Sequence, residues 1–278
     1  MRYLCSMSDW TRENVGSHLT PSELRLSGAL AQPKRLAIGC IVVLTALGWL
    51  ALGLIATDVP LGWQALCRPA LGAGLAELAL AVPMWVAMVL VMMLPTAGPM
   101  VLTYADIADT AARKGEPAVS PLVLTAGYVA VWLGFAVVAG SAQWLVARAG
   151  LFATGPAGQL VASAIFLGAG VYQFSALKQA CLTQCQRPFP FFFANWTAEP
   201  SGVFRLGLRQ GLFCLGCCWA MMLVMFATGA MNVIWMAALG IVMTVEKLST
   251  TPRFSQALGG VFVAAGCTMM VFAVMVVD

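Results

Sequence analysis

The chain has 278 residues, of which 61% are hydrophobic and 9% charged, with a mean hydropathy of +0.88. A soluble domain carries about a quarter of its residues charged, so this composition belongs to an integral membrane protein, and the net charge of +4 is no signal for nucleic acid. The single histidine, His18, lies in a polar segment, which excludes histidine-rich di-iron sites and histidine-ligated haem, since both need imidazoles at membrane depth.

In chain order, residues 1–35 read as a polar cytosolic arm without a short cleavable signal, because the first apolar run starts late and is long enough to span. Residues 36–278 read as one all-α, polytopic membrane domain. Its seven apolar stretches are approximately Leu36–Ala56, Leu78–Leu102, Leu122–Ala147, Ala157–Leu177, Leu208–Thr228, Met231–Val245 and Ala257–Val277, each near the roughly 20 residues that a spanning helix needs. The fifth and sixth are joined tightly through Gly229 and predict a hairpin. Placing the N-terminus in the cytosol puts thirteen of the fifteen lysines and arginines on the cytosolic side and leaves only Arg68 and Arg148 outside. The positive-inside tendency therefore predicts a bundle of seven transmembrane helices, N-terminus cytosolic and C-terminus outside. Spans two to four and five to seven then run in opposite senses, as an inverted repeat would, although a shared Trp-Met pattern is more simply a result of composition.

The second span carries Met84, Met88 and Met92 at a spacing of four, then Met93, Pro95, Pro99 and Met100. Such a stripe could pass a soft cation between thioethers, but for methionine alone core packing is the simpler explanation. If the fourth helix continues past Tyr172-Gln173, Cys181 and Cys185 sit one turn apart on one face and can chelate one ion on the cytosolic side, where a disulfide does not persist. The run Arg187-Pro188-Phe189-Pro190-Phe191-Phe192-Phe193 with Trp196 predicts an interfacial segment whose prolines prevent a helix.

In the fifth span, Gly211 to Met225 places Cys214, Cys217, Cys218, Met221 and Met225 at spacings of three and four, with Met222 beside them, and lines soft sulfur along one stripe. The bland reading is that cysteine and methionine are packing residues here. Cys214 follows Arg209 by about 7.5 Å of helical rise, so the two cysteine groups face one another near the cytosolic surface. Charge then selects the ion. Four thiolates on zinc leave two negative charges in a low-dielectric region, whereas copper(I) with two thiolates and neutral methionines leaves one, which Lys178, Arg205, Arg209 or Lys247 can neutralise. Copper(I) is favoured, with zinc or iron left open. Gln143 and Gln173 are expected to bond between helices, the Glu246-Lys247 pair to be structural, and Gly260, Ala264 and the nearby glycines of the last span to be close-packing positions.

Three groups of residues carry a family resemblance. They are Pro83-Met84-Trp85 with Met88, Met92 and Met93 before Pro95; Tyr172-Gln173 leading through Leu177-Lys178 to Cys181 and Cys185 before Pro188; and Cys214-Leu215-Gly216-Cys217-Cys218-Trp219 with Met221 or Met222, Gly229, Met231-Asn232 and Glu246-Lys247. Over Leu78 to Leu248 the chain resembles the bacterial family of predicted metal-binding integral membrane proteins of unknown function, with Gln186-Arg187 departing from a basic residue directly after the second cysteine. The resemblance implies a multi-pass inner (cytoplasmic) membrane protein that binds metal, and it supplies no reaction.

Three functions remain on these residues. The first is copper(I) handling, with transport or delivery to a membrane cuproenzyme, the partners being the lipid bilayer, a membrane metalloenzyme or a soluble metal chaperone. The second is an accessory subunit or assembly factor of a membrane enzyme with no metal of its own. The third, a thiol–disulfide enzyme, is disfavoured by the reducing side of the paired cysteines. No nucleotide-binding loop is present, so an energised pump is not expected, and catalysis is not the leading reading.

Overall fold

The computed structural model describes residues 39, 42–43, 45–50, 75–149, 156–228, 233–249 and 251–275. The polar arm, most of the first expected span, Arg68 and the Gly229 join lie outside the described residues. Among the described residues the chain is helical without strands: α1 (Leu75–Arg113), α2 (Pro121–Arg148), α3 (Pro156–Gln173), α4 (Ala176–Gln186), α5 (Pro188–Ala194), α6 (Pro200–Thr228), α7 (Val233–Leu248) and α8 (Pro252–Met275).

α1 runs 39 residues, well past the apolar stretch read from the sequence. No glycine or proline interrupts Thr103 to Lys114, so helix propensity carries it on at about 58 Å in total. It contains Pro83, Pro95 and Pro99, and threonines beside the last two bond back to the helix: Thr96 Oγ1 donates to Met93 O (2.9 Å) and Thr103 Oγ1 to Pro99 O (2.8 Å). It stops at Gly115, whose φ of 77° forms a Schellman cap with Glu116 N on Ala111 O (3.0 Å) and Gly115 N on Ala112 O (3.1 Å).

The fourth helix does not continue straight through to the paired cysteines. It breaks after Gln173, and α4 starts afresh with Ser175 as N-cap, accepting from Lys178 N at 3.1 Å, at a bend of 65°. The following aromatic run forms the short helix α5, contrary to the expectation that its prolines forbid one. Pro188 and Pro190 fall in the first turn, where no intrahelical N–H is required.

Ala81–Arg113, Pro121–Val146, Pro200–Met225 and Pro252–Met275 are long and apolar enough to cross a membrane. The bent pair α3–α4 passes the same test if it is one broken span. α7, at 16 residues, is shorter than these. Large apolar side chains such as Val138, Leu145, Ile241, Val271 and Phe272 cover the outer faces.

Glycines set the two closest crossings. A Cβ on Gly127 of α2 would strike Phe204 O of α6, and one on Gly207 would strike Leu124 O, so only hydrogen at both positions permits this approach. Gly211 meets Val131 one turn further along α6. Between α3 and α8 the same work falls to Gly170, Gly259 and Gly266, whereas Gly260 and Ala264 face outward, one position out of phase with the contact. Gln143 accepts from Trp85 Nε1 (2.6 Å) and Gln173 Oε1 accepts from Ser255 Oγ (3.2 Å), so both glutamines bond between helices. The core between α1, α2, α6 and α7 is rich in sulfur and aromatics, including Trp85, Met88, Met93, Tyr128, Trp132, Cys214 and Met243.

Candidate metal centre

The spacing of α6 brings Cys214, Cys217 and Cys218 onto little more than one turn, and the bundle buries all three. Their Sγ atoms lie within 4.8 Å of one another, with Cys214–Cys218 at 3.9 Å and Cys217–Cys218 at 3.8 Å. Sulfurs at such separations leave a point about 2.2–2.5 Å from each, which spans the roughly 2.3 Å length of a metal–thiolate bond. Side chains of one helical turn thus form a three-sulfur seat without help from elsewhere. The thiols of Cys217 and Cys218 both reach the carbonyl of Cys214, at 3.1 and 2.6 Å, which fixes their rotamers toward the cluster.

Cys214 is the polar focus. Tyr128 OH lies 3.0 Å from its Sγ, and Lys247 Nζ donates to it at 3.0 Å. Tyr128 also donates to Met93 O (3.2 Å), and Lys247 to Thr96 Oγ1 (2.7 Å). Helices α2 and α7 therefore converge on one sulfur, and α1 holds both of their side chains in place. The Gly127–Gly207 crossing brings the neighbouring Tyr128 this close to α6.

Of the four cations able to neutralise a thiolate, geometry selects Lys247. Lys178 is committed elsewhere: its Nζ sits 2.8 and 2.9 Å from the two carboxylate oxygens of Glu246 with both side chains buried. Arg205 and Arg209 are exposed on α6. The neighbours Glu246 and Lys247 thus serve different partners, one binding α4 and the other the cysteine cluster.

α4 lies against the same part of α6. A Cβ on Gly216 would come within 2.7 Å of Cys181 Sγ, so glycine there lets that thiol rest directly on the helix. Cys185, one turn on, interacts with Cys214 and Cys217, and both α4 cysteines are partly exposed. Lys178 on Glu246, and Gln186 Nε2 on the carbonyls of Glu246 (3.0 Å) and Ser249 (2.5 Å), fasten α4 to the end of α7 on either side of its cysteines. On the opposite flank Tyr172 OH donates to Gly216 O (2.6 Å) and stacks edge-on with Trp219.

Of the five cysteines singled out from the sequence, Cys214, Cys217 and Cys218 form the cluster, and Cys181 and Cys185 lie on α4 beside it. The methionines are placed differently. Met221, Met222 and Met225 continue the buried stripe of α6 beyond the triad, Met88 and Met92 belong to the α1 core, and Met92 faces Gly240 of α7. The thioether tied to the polar end of the cluster is that of Met93, 3.9 Å from Thr96 Oγ1. Tyr128, Thr96 and Met93 were not among the candidate site residues. No spacing in the sequence marks them; two of the chain's four tyrosines, Tyr128 and Tyr172, reach α6 at the cysteines only through the fold.

A three-thiol seat with one ammonium and no histidine or carboxylate ligand is suited to a soft, low-charge cation. A family model described as PpoB2: Copper chaperone matches residues 82–270 of the chain. No curated protein and no solved structure matches it.

Proposed function

The chain belongs to the PpoB2 copper chaperone family, and from that premise we propose that its buried triad holds copper(I) within a membrane bundle and releases it to a membrane cuproenzyme. The observation that carries this reading is the set of Cys214, Cys217 and Cys218 sulfurs within 4.8 Å of one another, beside Lys247. Copper(I) on two thiolates has one net negative charge, and a single ammonium cancels it. A divalent zinc on four thiolates leaves two negative charges, of which the same lysine cancels only one. The partly exposed Cys181 and Cys185 receive the ion from a soluble carrier, and exchange onto the α6 triad moves it inward. Copper is cargo in this scheme, bound through soft sulfur and passed on by ligand exchange without any change of oxidation state.

The bundle is proposed to sit in the bacterial inner membrane with seven spans, the N-terminus in the cytosol and the C-terminus outside. That assignment is supported by the thirteen-to-two distribution of basic residues. Reporter fusions at the two termini test it, since both reporters answering from one side are incompatible with an odd number of spans.

The decisive experiment for function is anaerobic loading of the purified full chain in detergent with copper(I), followed by competition with a chromophoric chelator. The wild type retains the ion, and serine at 214, 217 and 218 together abolishes retention. Retention unaffected by those three changes sinks the reading.

A further inference from the structure

A second set of sulfurs extends from the triad. Of the chain's sixteen methionines, five lie on α1, three on α6 and two on α7, the helices that carry the triad, Lys247 and its partner Thr96. α2 and α3 are similarly apolar and contain none, and the three of α8 are not buried, so thioethers are no general need of packing in this bundle. The three methionine-bearing helices are in register. α2 runs antiparallel to α1, tied by Trp85 to Gln143 (2.6 Å) and by Tyr128 to Met93 O (3.2 Å). α6 runs parallel to α2, with Gly207 against Leu124 and Gly211 against Val131. α7 runs parallel to α1, since a Cβ on Gly240 would lie 3.7 Å from Met92 Cε and Lys247 Nζ meets Thr96 at 2.7 Å. Moving from the triad toward the start of α1, the start of α7 or the end of α6 is therefore one and the same direction. Along the helix axes in that direction, Met92 and Met88 lie about 6 and 12 Å from Thr96, Met243 and Met236 about 6 and 16.5 Å from Lys247, and Met221 and Met225 about 10.5 and 16.5 Å from Cys214. All six are 3% exposed or less and belong to one continuous core. Successive thioether levels are thus separated by about one helical turn of axial rise or less. In the opposite direction, among the described residues, α1 offers one buried methionine, Met100, and α6 and α7 offer none.

Resting on the copper reading above and on its orientation of the bundle, we propose that the ion leaves the triad away from α4, along this column of thioethers, and emerges on the outer side of the membrane. The chain then carries copper(I) across the bilayer instead of returning it to the cytosolic surface. Each step is a ligand exchange, in which a copper–thioether bond forms as a copper–thiolate bond, and further on another copper–thioether bond, breaks. No electron moves, and the thiolate left at Cys214 stays paired with Lys247. Thioethers are neutral and weaker donors than thiolates, so the column passes the ion without trapping it, and the triad is the station where it rests. The same soft, uncharged lining offers no oxygen ligands to magnesium or calcium, which restricts the route to soft ions.

The test uses the full chain reconstituted in phospholipid vesicles that enclose a membrane-impermeant chromophoric copper(I) chelator, with glutathione-bound copper(I) added outside under argon. Either orientation of insertion reports, because passage is down the gradient. The wild type should colour the enclosed chelator several-fold faster than vesicles without protein. Met88→Leu, Met225→Leu and Met236→Leu combined should retain copper in detergent as the wild type does but pass it about tenfold more slowly, because leucine keeps the volume and removes the soft donor. Met100→Leu, the same exchange on the other side of the triad, should pass copper at the wild-type rate. Retention in detergent shows that each variant is folded; where the triple variant fails that check, Met225→Leu alone takes its place, with slower passage again expected. Passage at the wild-type rate by the column variant, equal slowing by Met100→Leu, or a wild type that retains copper and passes none overturns the route and leaves the copper-holding function intact. No copper retained by the wild type overturns that function and the route with it.

Discussion

Lys247→Met removes the cation that, among the described residues, touches the triad, while keeping the length of the side chain. At 3.0 Å from Cys214 Sγ, a unit charge pair is worth about 5–6 kcal/mol at an effective dielectric of about 20, before the ammonium's own loss of hydration is set against it. Breaking such a pair from one side typically costs about 3–5 kcal/mol, and the half-buried position of Lys247 argues for the lower end. The metal-free protein can escape the cost by protonating Cys214, whereas the copper-loaded protein must keep its thiolates. The loss therefore falls on affinity, about 3 kcal/mol or roughly a hundredfold weaker binding. Chelator competition under argon measures it, with Lys247→Arg, which restores the charge, expected within about tenfold of the wild type. A methionine variant that binds copper within about threefold of the wild type, roughly 0.7 kcal/mol, refutes the charge-balance argument.

Glu246→Gln leaves Lys178 buried against a neutral amide and should lower the unfolding free energy by about 3–5 kcal/mol. Lys178→Met combined with Glu246→Leu should recover most of that loss, and equal midpoints for all three proteins in denaturant titration would dismiss the pair as a structural tie. Gly127→Val drives a branched side chain into the backbone of α6, where neither partner can yield, and should cost about 3 kcal/mol or more in the same assay. Gly216→Ala meets only the movable end of Cys181, so stability should change by less than about 1 kcal/mol. Maleimide should nevertheless modify Cys181 several-fold faster, and an unchanged labelling rate would mean that Cys181 does not rest on α6.

What the sequence revealed was local. The triad was legible because Cys214, Cys217 and Cys218 are related by the period of one helix, which needs no knowledge of the partners. The convergence of α4 on α6 was also readable, since charges on both segments pointed to one side. The partners of Cys214 were not, because Tyr128 and Lys247 come from 86 and 33 residues away, and no spacing rule connects one helix to another. Choosing among four cations likewise required knowing that Glu246 had already engaged Lys178. Boundaries erred for simple reasons. Polarity marked the end of an apolar stretch in α1 but not the end of the helix, and prolines at the first turn of α5 were mistaken for breakers. In the last helix the nearby glycines, Gly259 and Gly266, make the expected contact, whereas Gly260 and Ala264, named with them, face outward.

The triad draws all three of its sulfurs from a single helix, and this has a bearing on biogenesis. Its geometry is complete as soon as α6 has formed, before the neighbouring segments have docked. The balancing ammonium arrives later, on α7, which the ribosome makes next. A nascent chain paused between the two would therefore present a ready-made trap for soft metal with nothing to offset its charge, and only translation through Lys247 turns that trap into a balanced carrier.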